Sequence, residues 1–243
     1  MQIHMFGDGN TRNKIVLISK TDFIDFQKCR YTWYMRKVLQ VNVPPTENMI
    51  KGTSMHNVAR SINYLLRSGK LKNLEEVSEL ISKLELEEDI RFGIENFLRY
   101  LEYRNSNDAP YIPKIIEERI EYDVGDGYKV VGIPDVVYFD PRTNFWEVVE
   151  YKKSVYRDEE DILLEAMFYG YILEKARRVR VEKVSFVSFD SGHTRSKEYS
   201  AGEVERKIFD MVSFLDKMDF EPSPSEDVCR ICIFRKYCPY SKG

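Results

Sequence analysis

A chain of 243 residues is long enough to bury a full core as one domain, with room for a sizeable insertion. Its hydrophobic share of 43% and charged share of 32% are those of a globular protein, and no run of about eighteen apolar residues marks a membrane span. A formal net charge of −3 excludes a protein that grips duplex nucleic acid by bulk positive charge alone, and leaves a nucleic-acid substrate open.

Residues 1–13, MQIHMFGDGNTRN, read as a flexible tail without the basic-then-apolar pattern of a secretory signal. A cytoplasmic location is the expectation, and with it thiolate ligation rather than disulfides for clustered cysteines. KIVLIS at 14–19 is a short apolar entry segment. Asp22 is placed to cap a helix carrying Phe23, Phe26, Tyr31, Trp33 and Tyr34, with Cys29 inside it. Beyond Pro44 and Pro45 a helix near 50–68 carries GTSMH, a G-x3-H pattern of Gly52 and His56. A single helical histidine is more often packed or exposed than ligating. From Leu71 to Arg104 two apolar stripes at helical spacing, Leu74, Val77, Leu80, Leu84 and then Ile90, Ile94, Phe97, Leu101, predict two helices without chemistry of their own.

At Pro113 the pattern changes to alternation. KIIEERIEYDV, the turn Gly125–Gly127 and YKVVGIPDVVYFD read as a hairpin, and FWEVVEYKKS after the turn at 141–144 as a third strand of one meander. A helix from about Asp158 to Arg178 has acids in its first turn, which suits the helix dipole. VEKVSFVSFD is a fourth strand, and the segment after it a fifth at the edge. Val204, Ile208, Met211 and Leu215 mark a last helix before EPSPSED.

Two neighbouring strands carry charges that need partners. Asp135 sits among Val130, Val131, Val136 and Val137, and Glu150 and Lys152 are two residues apart, hence on one face of their strand. Carboxylates brought together on a rigid sheet repel unless a cation lies between them, and hard oxygen donors suit Mg²⁺ or Mn²⁺. A turn-starting Asp135 beside a surface Glu150–Lys152 ion pair is the plainer reading. At the C-terminal end, Cys229, Cys232 and Cys238 are spaced C-x2-C-x5-C, and Cys29 is the one further cysteine. A four-thiolate iron–sulfur site, a zinc site and free thiols are the alternatives.

Taken in order, Cys29 after an aromatic helix, Gly52 and His56, G-x-P-D at Gly132–Asp135, E-x-K at Glu150 and Lys152, and the terminal cysteines resemble the RecB-like PD-(D/E)xK nucleases, and most of all the CRISPR-associated Cas-four exonuclease family. The resemblance runs from about residue 19 to 240. It implies an α/β fold with a restriction-endonuclease-like core, a mixed sheet flanked by helices, a helical insertion and an iron–sulfur-bound C-terminal segment. The matching division is a tail at 1–13, an N-terminal helical segment at 14–69, the insertion at 70–112, the nuclease core at 113–218 and the cysteine segment at 219–243.

For the site, the resemblance implies that His56, Asp135, Glu150 and the backbone carbonyl of Tyr151 ligate Mg²⁺ or Mn²⁺, with Asp135, Glu150 and Lys152 as the catalytic set. It assigns Cys29, Cys229, Cys232 and Cys238 to one [4Fe–4S] cluster. Where the family has Q-x3-Y to position DNA, this chain has Glu165 and Tyr169, a departure that puts DNA positioning in doubt. The function implied is a metal-dependent DNA exonuclease acting on single strands or ends, with the Cas-one and Cas-two integrase as partner in CRISPR spacer acquisition. A RecB-like recombination or repair nuclease outside CRISPR, a non-cleaving DNA- or integrase-binding subunit on the same fold, and a zinc-stapled structural module are the alternatives.

Overall fold

The computed structural model describes residues 15–155 and 159–242; the tail expected at 1–13 lies outside them. The described residues form two compact units, one from residues 15–44, 121–131 and 202–242, the other from 45–120, 132–155 and 159–201.

In the first unit a three-stranded sheet has the order β1 (Val16–Ser19), β4 (Tyr128–Gly132), β3 (Ile120–Gly125), with β1 parallel to β4. The hairpin expected at Gly125–Gly127 is present; Gly125, Asp126 and Gly127 all have positive φ, which glycine and aspartate tolerate. Helix α1 (Lys20–Lys28) starts on a capping box. Its cap is Ser19, whose hydroxyl accepts from the Asp22 amide at 3.2 Å while the Asp22 carboxylate accepts from the Ser19 amide at 2.9 Å. Asp22 is thus the reciprocal partner rather than the cap, a shift of one turn that still satisfies two orphan donors.

Cys29 was expected inside a helix and is found at a break. Its backbone is extended (φ −162°, ψ 118°), its amide closes α1 on Asp25, and its carbonyl receives Thr32 to open α2 (Arg30–Lys37). Helix α7 (Ala201–Asp216) buries Val204, Ile208, Met211 and Leu215 as spaced. Helix α8 (Glu226–Ile231), capped by Ser225, and a short 3-10 turn at Arg235–Tyr237 carry the last cysteines.

The second unit holds a five-stranded mixed sheet of order β2 (Ile115–Ile116), β5 (Val136–Asp140), β6 (Phe145–Lys152), β7 (Val181–Ser188), β8 (Thr194–Glu198). Only β6 and β7 are parallel, so a crossover must join them; it contains α6 (Glu159–Arg177). Helices α3 (Glu47–Arg67), α4 (Leu74–Lys83) and α5 (Glu88–Ser106) share one core with Val136, Tyr138, Val149, Tyr151, Val187 and Phe189 of the sheet and its exit. The stripe of α5 is buried at Ile90, Ile94, Phe97 and Leu101; in α4 the buried residues are Leu74, Val77 and Ile81, with Leu80 only partly covered. At the far end of β6 a buried Arg104–Glu147 pair, 2.9 Å apart, lies with Tyr138 under the guanidinium.

The single meander expected from 114 to 154 is instead divided between two sheets. The stretch read as one strand from 128 to 140 breaks at Ile133–Asp135, and the stretch from 114 to 124 breaks between β2 and β3, where Glu117 takes φ +44°. Pro134 has no amide to give a ladder, so the chain leaves one sheet after Gly132 and joins the other at Val136.

Candidate active site

The break at Pro134 sets the site. Asp135 stands not within a strand, as expected, but in the bend that leads into β5. β5 pairs antiparallel with β6, Val136 opposite Val149, which brings Asp135 beside the end of β6. Its Oδ2 accepts from the Tyr151 amide at 2.7 Å, and its own amide donates to Glu150 Oε1 at 3.2 Å. On β6 the residues alternate. Val149 and Tyr151 belong to the core, where the Tyr151 hydroxyl receives Asn63 at 3.2 Å, so Glu150 and Lys152 take the opposite face.

Two helices complete the cluster. From α3, His56 Nδ1 lies 3.2 Å from Asp135 Oδ1, its ring edge-on to Phe189. One turn earlier, a Cβ on Gly52 would stand 3.4 Å from the Cβ of Lys153. From α6, Glu165 Oε2 lies 2.6 Å from the Lys152 ammonium, which is 3.5 Å from Glu150 Oε2. Glu150 and Glu165 are each 3% exposed. Three carboxylates therefore converge on one lysine and one imidazole.

The electrostatics follow from that count. Burial works against the Lys152 charge, but Glu165, Glu150 and Asp135 outweigh it and hold the ammonium well above its ordinary pKa. Burial likewise disfavours a charged His56, and the bond to Asp135 with the charges of Asp135 and Glu150 reverses this, so its pKa is raised. Burial pushes the Asp135 carboxyl up, and His56, Lys152 and the Tyr151 amide bring it below the usual value. Burial, then Glu150, Asp135 and Glu165, push the Tyr169 phenol far up. Tyr169 thus keeps its proton and reaches the field of all three carboxylates.

Among the described residues, no three His, Cys, Asp or Glu side chains stand so as to hold a metal ion. The carboxylates face Lys152 and His56 instead, and Asp135, Glu150 and His56 must turn toward a shared point to chelate. The donor set fits a hard divalent cation: two carboxylates that the β5–β6 register brings opposite one another, with an imidazole beside them. Local sequence spacing reveals neither the Lys152–Glu165 contact nor the Tyr151 amide bond to Asp135. The only signal for the first was the acidic residue in Glu165-x3-Tyr169.

In the first unit, Cys29, Cys229, Cys232 and Cys238 line one cavity with Tyr31, Thr32 and Met35. The Thr32 hydroxyl is 3.9 Å from Cys232 Sγ. Burial pushes the Cys238 thiol up, and the neighbouring Cys232, Cys29 and Cys229 add to the rise. Four thiols gathered this way repel as thiolates unless a cation compensates them, and their chemistry fits an iron–sulfur cluster or zinc.

No curated protein matches this chain. Among solved structures, that of SSO0001 is similar at 16% identity over 92% of this chain and 98% of that one, with a TM-score of 0.39. The profile of the PD-(D/E)XK nuclease superfamily matches residues 18–239. That match takes in the bend carrying Asp135, the Glu150–Lys152 strand end and the four cysteines, and the chain belongs to the PD-(D/E)XK nuclease superfamily.

Proposed function

We propose that this protein is a metal-dependent DNA exonuclease acting on single strands or ends. The observation that carries the reading is the convergence of Asp135, Glu150 and Lys152 at one end of β5 and β6, with His56 of α3 against Asp135. Members of the superfamily are typically metal-dependent nucleases that act on DNA. Mg²⁺ or Mn²⁺, held by Asp135, Glu150, His56 and the Tyr151 carbonyl, would polarise a phosphoryl oxygen and lower the pKa of water.

The remaining work falls to the chain. The Tyr151 amide holds the Asp135 carboxylate at the end of β6, where it has still to turn to meet a cation. Lys152, kept charged by its neighbours, is the donor that stabilises negative charge growing on the attacked phosphate. Tyr169, whose phenol keeps its proton, has a hydroxyl hydrogen to donate. His56 gives its proton up before it can act as a ligand.

Cys29, Cys229, Cys232 and Cys238 hold a [4Fe–4S] cluster in this reading, supported by their shared cavity and by thiolate chemistry. Together with the motif order, a cluster of that kind favours a role in trimming DNA fragments for CRISPR spacer acquisition, with the Cas-one and Cas-two integrase as partner. Digestion of end-labelled single-stranded DNA with Mg²⁺ or Mn²⁺ tests the activity. Wild type should shorten the label and folded Lys152→Ala should not. A folded wild type that leaves every DNA substrate intact sinks the nuclease reading.

A further inference from the structure

Glu165 stands where the resemblance leads one to expect an uncharged amide, and its surroundings say what the charge faces. It is buried in the second turn of α6, and its Oε2 meets the Lys152 ammonium at 2.6 Å. The same ammonium is nearly an ångström farther, 3.5 Å, from Glu150. Glu150 also accepts from the Asp135 amide, and Asp135 is engaged by His56 and the Tyr151 amide. Glu165 is thus the strongest anchor of the lysine and the carboxylate of the three that lies outside the β5–β6 pairing.

We propose that Glu165 is a positioning residue for Lys152, anchoring the ammonium on the α6 side so that Glu150 and Asp135 can turn to a divalent cation without releasing it. The proposal rests on the nuclease reading above. A long lysine side chain loses rotamer freedom when fixed, and a charge-assisted bond to a buried carboxylate offsets that loss better than a neutral amide would. A buried carboxylate near a phosphate would otherwise repel it; paired with Lys152, it presents DNA with a neutral couple. Glu165 therefore acts through Lys152 rather than on DNA directly.

The test uses the full chain, purified anaerobically, with Glu165→Gln as the near-isosteric variant and Glu165→Asp as a shortened carboxylate. Three readouts are taken. Mn²⁺ affinity is measured by electron paramagnetic resonance, steady-state kinetics on single-stranded DNA give kcat and KM, and acylation of Lys152 relative to Lys153 is followed by peptide mass spectrometry with Ca²⁺ present. For Glu165→Gln the expectation is kcat lower by about 10- to 100-fold, the usual cost of losing a supporting partner. KM and Mn²⁺ affinity should stay at wild-type values, and Lys152 should acylate faster. Combining Glu165→Gln with Lys152→Ala should cost no more than Lys152→Ala alone. Glu165→Asp should recover part of kcat.

Weaker Mn²⁺ binding by Glu165→Gln would make Glu165 a metal ligand and overturn the proposal. A raised KM with unchanged kcat would assign it to DNA binding and overturn it equally. Unchanged acylation of Lys152 overturns it even if no DNA is cut, because that readout needs no turnover. A wild type without activity, whose Lys152 is nonetheless deprotected by Glu165→Gln, removes the nuclease reading and keeps the anchor.

Discussion

A Cβ built on Gly132 would stand 2.5 Å from Cδ1 of Tyr169 and 2.7 Å from its Cε1. The glycine of G-x-P-D thus leaves room for the ring of Tyr169, whose phenol feels the charges of Glu150 and Asp135. Ile172 Cδ1, at 3.1 Å, crowds the same position. Gly132→Ala is expected to destabilise by about 1–3 kcal/mol, the range for overpacking a filled site. The urea midpoint checks this; Tyr169→Ala, itself destabilising through the cavity it leaves, is a background in which Gly132→Ala should cost much less. An unchanged midpoint for Gly132→Ala would show that the ring moves aside at no cost.

The Arg104–Glu147 pair makes a stability prediction independent of the site. Both side chains are almost wholly buried, and the guanidinium also bonds Tyr100 and the Pro110 carbonyl while Ser185 donates to Glu147. Arg104→Ala removes the nearer charge partner of a buried carboxylate and leaves it the half-exposed Lys183 ammonium at 3.6 Å, so the loss should approach, at most, the roughly 3–5 kcal/mol of a fully broken buried pair. Replacing Arg104 and Glu147 together by apolar residues of similar volume should cost much less. Equal losses for the single and double variants would contradict this account.

The His56–Asp135 pair has a defined pH window in the metal-free protein. His56 has a raised pKa when folded, so its contribution is complete below about pH 6.5, its unfolded value, and disappears as pH rises through the folded value. Asp135 has a lowered pKa when folded, so its contribution is lost as pH falls through that lower value. Between the two the pair stabilises. His56→Ala should therefore destabilise more at about pH 5.5 than at about pH 9, measured by urea unfolding. A larger loss at the alkaline end would reverse the assignment. Divalent-cation affinity should rise with pH over the same interval, because a ligating imidazole must be neutral.

The thiol cavity predicts colour. Anaerobically purified protein should absorb broadly in the visible and contain iron, and Cys29→Ser or Cys232→Ser should lose both. A colourless wild type with one zinc per chain would replace the cluster by a tetrahedral zinc site.

Much of this could be read from local pattern. The burial of Ile94, Phe97 and Leu101 in α5 and of Val204, Ile208 and Met211 in α7 follows from helical spacing, which depends only on neighbours within a turn or two. The Gly125–Gly127 turn was equally legible, because its positive φ values suit glycine and aspartate and few other residues. Two boundaries were not. Asp22 and Ser19 are both good caps, and only the reciprocal bond distinguishes them. Cys29 lies in a run that favours helix on either side, and the break there is a matter of which carbonyl each amide finds.

The residues of the candidate site, Asp135, Glu150, Lys152, His56 and Glu165, are each visible in the sequence as charges or donors, and the four cysteines as a thiol set. That much the sequence determined alone, since residue type and short spacing decide which chemistry is on offer. What it left open was partnership. The division of the expected meander into two sheets, the seating of Asp135 in a bend against the Tyr151 amide, and the choice of Glu165 over Glu150 as the nearer anchor of Lys152 all depend on contacts between segments distant in the chain. Such contacts are decided by packing and strand register, where a step of one residue exchanges the buried and exposed faces of a strand, and only the tertiary structure carries that information.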